Sequence, residues 1–175
     1  MLLGLCGSLR RNSVNAKLMR EAARIYGGPF EEANLRLPLY DGDLEDAEGL
    51  PPLVTTLSDQ ITSAEAVLVV TPEYNQSFSG VLKNALDWVS RTKGGPWRDK
   101  PVALLSAAAG RTGGARAQYA LRLAMTPFRP RLLMGPEVLI AGAAGEFNAE
   151  GRLTGERYIK TLTELMDDLK AAASD

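Results

Sequence analysis

The chain has 175 residues, with 20 lysines and arginines against 21 aspartates and glutamates, one cysteine and no histidine. At about 150 residues per domain that length predicts a single domain over 1–175. The near-neutral balance speaks against nucleic acid as the main partner, and the lone Cys6 excludes an internal disulfide or a cysteine-rich zinc site.

The missing histidines remove Ser-His-Asp and Cys-His nucleophilic machinery and the commonest zinc ligand, so no metal site is expected. Any enzyme built on this chain must use carboxylates, lysines or a borrowed cofactor. No basic segment precedes a long apolar stretch, and no apolar run nears the roughly 20 residues that span a bilayer. The expectation is a soluble, cytoplasmic protein with no membrane partner.

Short apolar runs alternate with helical patterns along the chain. The first run, Leu2 to Cys6, leads into a helix over Val14–Tyr26, and a second run covers Leu35 to Leu39. The acidic stretch Asp41 to Gly49 reads as a solvated loop. A helix over Leu53–Ala64 precedes the run Ala66 to Val70. A helix over Gly80–Arg91 precedes Val102 to Leu105, and another follows over Gly114–Met125. A looser strand spans Arg131 to Ile140, and a last helix, Glu156–Ala172, carries Ile159, Leu162, Leu165, Met166 and Leu169 on one stripe.

The runs AVLVV and VALL hold no polar residue at alternate positions, as expected of strands covered on both faces. The alternation predicts an α/β fold, an open, doubly wound parallel sheet with right-handed crossovers. Ligands of such sheets bind outside the carboxyl ends of the strands. Three loops lie there.

The first, GSLRRNSVN, runs into the first helix, whose free N–H groups and partial positive charge attract phosphate. Ser8, Ser13 and Asn15 add polar side chains, and Arg10 or Arg11 can neutralise a dianion. Ser13 or Asn12 alone would cap the helix, but a cap does not explain Ser8 and two arginines. The loop is neither GxxxxGK[ST] nor GxGxxG, which disfavours triphosphates and a tightly held pyrophosphate. A terminal monophosphate such as that of FMN fits better.

In the second loop, TPEYNQSFSG, Thr71-Pro72 stops the strand. Glu73, Tyr74 and Asn75 follow at the sheet edge, where Pro72 to Asn75 could bear a flat conjugated ring or simply form a turn and cap. The third loop, SAAAGRTGGARAQ, has little side-chain bulk, and Gly113-Gly114 can adopt positive φ. It reads as a close backbone approach to a ligand or as a flexible connection.

Taken together, GSLRRNSVN, TPEYNQSFSGVLKNALDW and GGARAQ resemble the NADPH-dependent FMN reductase family, the flavodoxin-like group that includes bacterial quinone, chromate and azo reductases. The resemblance runs from Leu2 to about Leu123, and the second motif is the most specific.

It implies a flavodoxin-like five-stranded sheet in the order 2-1-3-4-5, bound FMN, NADPH or NADH as hydride donor, and a homodimer or homotetramer. It also implies ping-pong exchange of donor and small-molecule acceptor (a quinone, chromate, an azo compound or flavin) over one pocket. Because the flavin carries the chemistry, no catalytic side chain is assigned. By resemblance Ser8, Arg10, Ser13 and Asn15 hold the phosphate, and Pro72, Glu73, Tyr74 and Asn75 contact the ring. Ser106 and the Gly110–Gly113 loop form a third wall.

Two positions depart from the usual pattern: Ser79, where many members have proline, and Ala107–Ala109, where many have a glycine. Phe78, Trp88 and Trp97 could face a neighbouring subunit or pack within the chain. Cys6 reads as a small core residue. The competing readings are a flavodoxin-type electron carrier and a non-catalytic flavin sensor. Hydride acceptance from NAD(P)H separates them.

Overall fold

Three apolar strands stack side by side because their residues can be covered on both faces, and a short polar one joins them at the edge. In the computed structural model, which describes residues 1–174, β1 (Leu2–Cys6) lies between β2 (Phe30–Glu32) and β3 (Ala66–Thr71). Strand β4 (Pro101–Ala107) follows β3, and every pairing is parallel. Two short pieces, β5 (Arg131–Leu132) and β6 (Val138–Ile140), both pair with β4 at the far edge. The order β2-β1-β3-β4-β5 is the expected doubly wound arrangement.

The helices are α1 (Val14–Tyr26), α2 (Gly42–Glu48), α3 (Pro52–Ser63), α4 (Gly80–Ser90), α5 (Ala115–Met125) and α6 (Glu156–Ser174). Every residue of β3 and β4 is buried, as their unbroken apolar sequence requires. Alternate strand residues then divide the core in two. Leu2, Leu68, Val70 and Leu105 pack against Leu18 of α1 and Leu162, Met166 and Leu169 of α6. Leu3, Leu5, Val69 and Leu104 pack against Leu57 and Ile61 of α3, Leu82 and Leu86 of α4, and Leu121 and Met125 of α5.

Four expectations need correction. The second strand is Phe30–Glu32, paired with Leu2 to Gly4, and not Leu35 to Leu39. Leu35 is buried against the α3–α4–α5 side of the core without joining the sheet, and Leu39 is exposed. Pro38 has no N–H for a ladder, and its carbonyl accepts instead from Asn84 Nδ2 and Trp88 Nε1, each at 2.8 Å.

The acidic 41–49 stretch contains α2, capped by Asp41 Oδ1, which accepts from Asp43 N at 3.0 Å. Its early carboxylates suit a helix N-terminus, and Arg91, the residue that follows α4, pairs with Glu45 at 2.9 Å. The fifth strand is broken into β5 and β6 around Gly135-Pro136, since proline again cannot extend the ladder. Trp88 and Trp97 are buried within the chain, 0% and 2% exposed, so the neighbouring-subunit reading of these two side chains does not stand.

Candidate active site

Three of the strands end in loops that meet over the carboxyl edge of the sheet. They border one cavity of about 380 Å³. The first loop contributes Ser8, Arg10, Asn12 and Ser13, the second Pro72, Glu73 and Tyr74, and the third Ala107 to Ala109. Of the residues singled out from sequence, Ser8, Arg10, Ser13, Asn15, Pro72, Glu73 and Tyr74 come together here. Asn75, Ser106, Gly110 and Gly113 do not line it.

The polar end of the cavity is the start of α1. Ser13 is its N-cap, and its Oγ accepts from Asn15 N and Ala16 N at 3.2 and 3.3 Å. An accepting hydroxyl keeps its hydrogen, so Ser13 can cap the helix and still donate to an anion. Arg10 is exposed, with its charge on the same side as the helix N-terminus.

Asn15, in contrast, is already engaged. Its Nδ2 donates to Ala107 O and its Oδ1 accepts from Ala107 N, both at 2.9 Å and both buried. It ties α1 to the end of β4, which is a positioning role more than that of a free phosphate donor.

The rest of the lining is apolar and small: Pro72, Ala107, Ala108, Ala109, and Ala143 and Ala144 from a turn after β6. The side chain of Glu73 accepts from Ala117 N in the first turn of α5 at 3.4 Å. That carboxylate therefore sits at a helix N-terminus and not beside the anion end.

Tyr74 and Ser77 exchange backbone hydrogen bonds of 2.9 and 3.1 Å across Asn75 and Gln76, both at positive φ (50° and 65°). This tight reversal leaves Asn75 exposed at its tip.

Beneath the third loop, Ser106 is fully buried and committed. Its hydroxyl donates to Gly113 O at 2.6 Å and accepts from Gln118 Nε2 at 3.0 Å. Gly113 and Gly114, at φ +58° and +92°, come so close to β6 and β4 that a Cβ would lie 2.5 Å from Leu139 C and 2.7 Å from Ser106 respectively. Their smallness serves the fold under the site. At Gly110 nothing lies within 4 Å of a Cβ, so no neighbour demands a glycine there.

Sequence reasoning missed Asn12, Val14, Ala143 and Ala144 as lining residues. A signal existed for the last two, because AGAAG after β6 repeats the small-residue character of SAAAG after β4. Gln118, the last residue of the GGARAQ element, was given no role from sequence, and it also donates to Val138 O at 2.9 Å. Cys6 donates weakly to Ser8 O at 3.6 Å, and burial pushes its thiol above the usual range.

The model of the NADPH-dependent FMN reductase family matches residues 1–145, most of the chain and all three loops. The chain belongs to that family. Its relatives include an NAD(P)H-dependent FMN reductase of Pseudomonas aeruginosa, 42% identical over 172 residues that cover 97% of this chain and 92% of the relative. A quinone reductase of Escherichia coli is 40% identical over 139 residues, 77% of this chain and 74% of the relative.

Among solved structures, the flavoenzyme NAD(P)H:(acceptor) oxidoreductase FerB from Paracoccus denitrificans superposes with a TM-score of 0.89 at 33% identity, over 99% of this chain and 96% of that one. This FMN reductase family member is an oxidoreductase of the flavodoxin-like fold, and its family works with FMN and NAD(P)H. No helix among the described residues is long and apolar enough to cross a membrane.

The cavity fits FMN on its own chemistry. A hydroxyl-lined end with an arginine and a helix N-terminus suits a phosphate dianion. A wall of proline and alanines suits a flat ring, and the one acidic side chain in the cavity is turned to another helix start.

Proposed function

We propose that this chain is, as one flavin-binding unit, an NAD(P)H-dependent reductase of quinones and related small acceptors. Ser8, Arg10, Ser13 and the start of α1 would hold the FMN phosphate, and Pro72, Glu73 and Tyr74, with Ala107 to Ala109, would bear the ring. Asn15, Ser106 and Gly113 serve the site by fixing the loops that line it. Asn75 sits on the reversal that presents Tyr74, and Gly110 on the outer rim of the third loop.

The observation that carries this reading is the pairing, in one cavity, of a cationic hydroxyl-rich end with a thin apolar wall.

Bound FMN would supply the redox chemistry, taking two electrons and a proton from a nicotinamide and releasing two electrons to an acceptor. The protein's part is to bind, orient and expose. None of the side chains lining the cavity is a histidine, and none need act as acid or base for the nicotinamide to be oxidised.

The cavity is open, so acceptors of different shape can reach the same surface, and donor and acceptor would compete for it. They would then take turns. Initial rates with NADPH and a benzoquinone as varied substrates test this. Parallel double-reciprocal lines are expected, and intersecting lines would exclude the exchange. The protein is proposed to work in the cytoplasm as a homodimer or homotetramer.

A further inference from the structure

On the far side of the first loop lies a second cavity, of about 310 Å³, between that loop, α1 and the chain leaving β2. That size is at the lower end of small-molecule sites. Four guanidinium groups line it, Arg10, Arg11, Arg20 and Arg36, against the single carboxylate of Glu32. Arg20 Nε and Nη2 donate to the two oxygens of that carboxylate at 2.6 and 2.9 Å, so this pair cancels. Arg36 Nη2 donates to Leu9 O at 3.1 Å, which holds its guanidinium against the loop and leaves its charge unopposed. Arg10 and Arg11 are exposed and make no ion pair among the described residues. Positive charge from Arg10, Arg11 and Arg36 therefore converges on one groove without compensation.

Arg10 also lines the flavin cavity, but Arg11 and Arg36 do not. A guanidinium presents paired donors that fit a carboxylate or a phosphate, so several together suit a small molecule with two or more anionic groups. The groove's floor is Ala16, Met19, Ala33 and Leu35, and no aromatic side chain lines it. That removes the usual platform for stacking a base and favours a compact polyanion over a nucleotide. Ser8 and Arg10 border both cavities. An anion in the groove and a phosphate at the start of α1 would then lie on opposite sides of one loop, repel each other and draw on the same guanidinium.

We propose that this groove binds a compact polyvalent oxyanion, a polyphosphate or a polycarboxylate, and that its occupant loosens FMN by competing for Arg10. The second part rests on the flavin reading given above, because it takes Arg10 to hold the FMN phosphate.

The test is calorimetric titration of the FMN-loaded protein with pyrophosphate, citrate, acetate and 5′-ADP, in the wild type and in Arg11→Ala and Arg11→Glu variants. With the flavin phosphate in place, the titration reads the groove alone. Pyrophosphate or citrate should bind about tenfold or more tighter than acetate, with affinity reduced about tenfold in Arg11→Ala and abolished in Arg11→Glu. The tighter of the two tells a polyphosphate site from a polycarboxylate site. Binding should weaken as salt is raised, because the charges are exposed. In a second titration, of apoprotein with FMN, the pyrophosphate concentration that saturates the wild-type groove should raise the Kd for FMN about tenfold, and far less in Arg11→Glu. Without pyrophosphate, wild type and both variants should bind FMN alike.

No binding of either polyanion, acetate that binds as tightly, or polyanion affinity that survives in Arg11→Glu would overturn the site. So would 5′-ADP that binds more tightly than pyrophosphate, which would make the groove a nucleotide site. A Kd for FMN raised equally in wild type and Arg11→Glu would place the competition at the flavin's own phosphate site and overturn the coupling. Pyrophosphate binding that depends on Arg11, in a protein with no affinity for FMN, would uphold the groove and remove the flavin reading instead.

Discussion

The side chain of Asn15 and the backbone of Ala107 exchange two hydrogen bonds of 2.9 Å, as two paired strand residues would. Residue 15 lies in the first turn of α1 and residue 107 ends β4, so one side chain joins the loop proposed to hold phosphate to the loop proposed to flank the ring. Replacing it by alanine leaves a buried N–H and a buried C=O unpaired. Asn15→Ala should cost about 2–4 kcal/mol in urea unfolding and weaken FMN binding with it. A variant of wild-type stability would show that the pairing contributes nothing.

Arg10 is exposed and takes no part in packing. Arg10→Ala should therefore leave the melting temperature nearly unchanged while FMN binding weakens by about tenfold or more. Riboflavin, which lacks the phosphate, should bind wild type and variant alike. Titration of apoprotein flavin fluorescence reads both, and unchanged FMN affinity would remove Arg10 from the phosphate site.

Gly113 tests the ground beneath the third loop. At φ +58°, with β6 backbone 2.5 Å from any Cβ, alanine meets both strain and collision. Gly113→Ala should lose about 3 kcal/mol or more, whereas Gly110→Ala, with open space, should be close to neutral in stability. Comparable stability of the two variants would contradict the close packing described here.

Glu21 of α1 is 3% exposed and accepts from Arg24 at 2.9 Å and from Arg152 at 3.1 Å, tying α1 to the turn before α6. Hydrogen bonds from Arg24 first and Arg152 second outweigh its burial and hold its carboxyl below the usual range. A depressed folded pKa gives stability that is present above the unfolded value, near pH 4.5, and lost as pH falls through the folded one. Glu21→Gln should thus be less stable by about 2 kcal/mol at pH 7, with the gap closing in the acid limb. Denaturant midpoints between neutral and acid pH measure it, and a gap independent of pH would point to packing instead.

Most of the architecture could be read from the chain because α1, α3, α4, α5 and α6 have strong apolar periodicity and β3 and β4 are unbroken apolar runs. The failures share a cause. Strand β2 is three residues, Phe-Glu-Glu, at a sheet edge, where pairing with β1 and not hydrophobicity holds it in place. Helix α2 has no buried residue and owes its helical form to a cap and to charges at its start.

At the site, the motifs named the three loops that border the cavity but not the partition of labour within them. Ser8, Arg10 and Ser13 face the cavity, whereas Asn15 and Ser106 are consumed by Ala107, Gly113 and Gln118. Hydrogen-bond partners up to 92 positions away cannot be seen in a local pattern. The wall from Ala143 and Ala144 depends likewise on β6 pairing with β4.

The central claim is that a nicotinamide reduces flavin held in this cavity. Anaerobic addition of NADPH to the FMN-loaded protein, followed by the visible flavin absorbance, tests it most directly. Rapid bleaching by one equivalent, and return of the yellow colour when a benzoquinone is added, is the predicted result. A bound flavin that stays yellow with both NADPH and NADH would contradict the account and favour an electron carrier or a sensor.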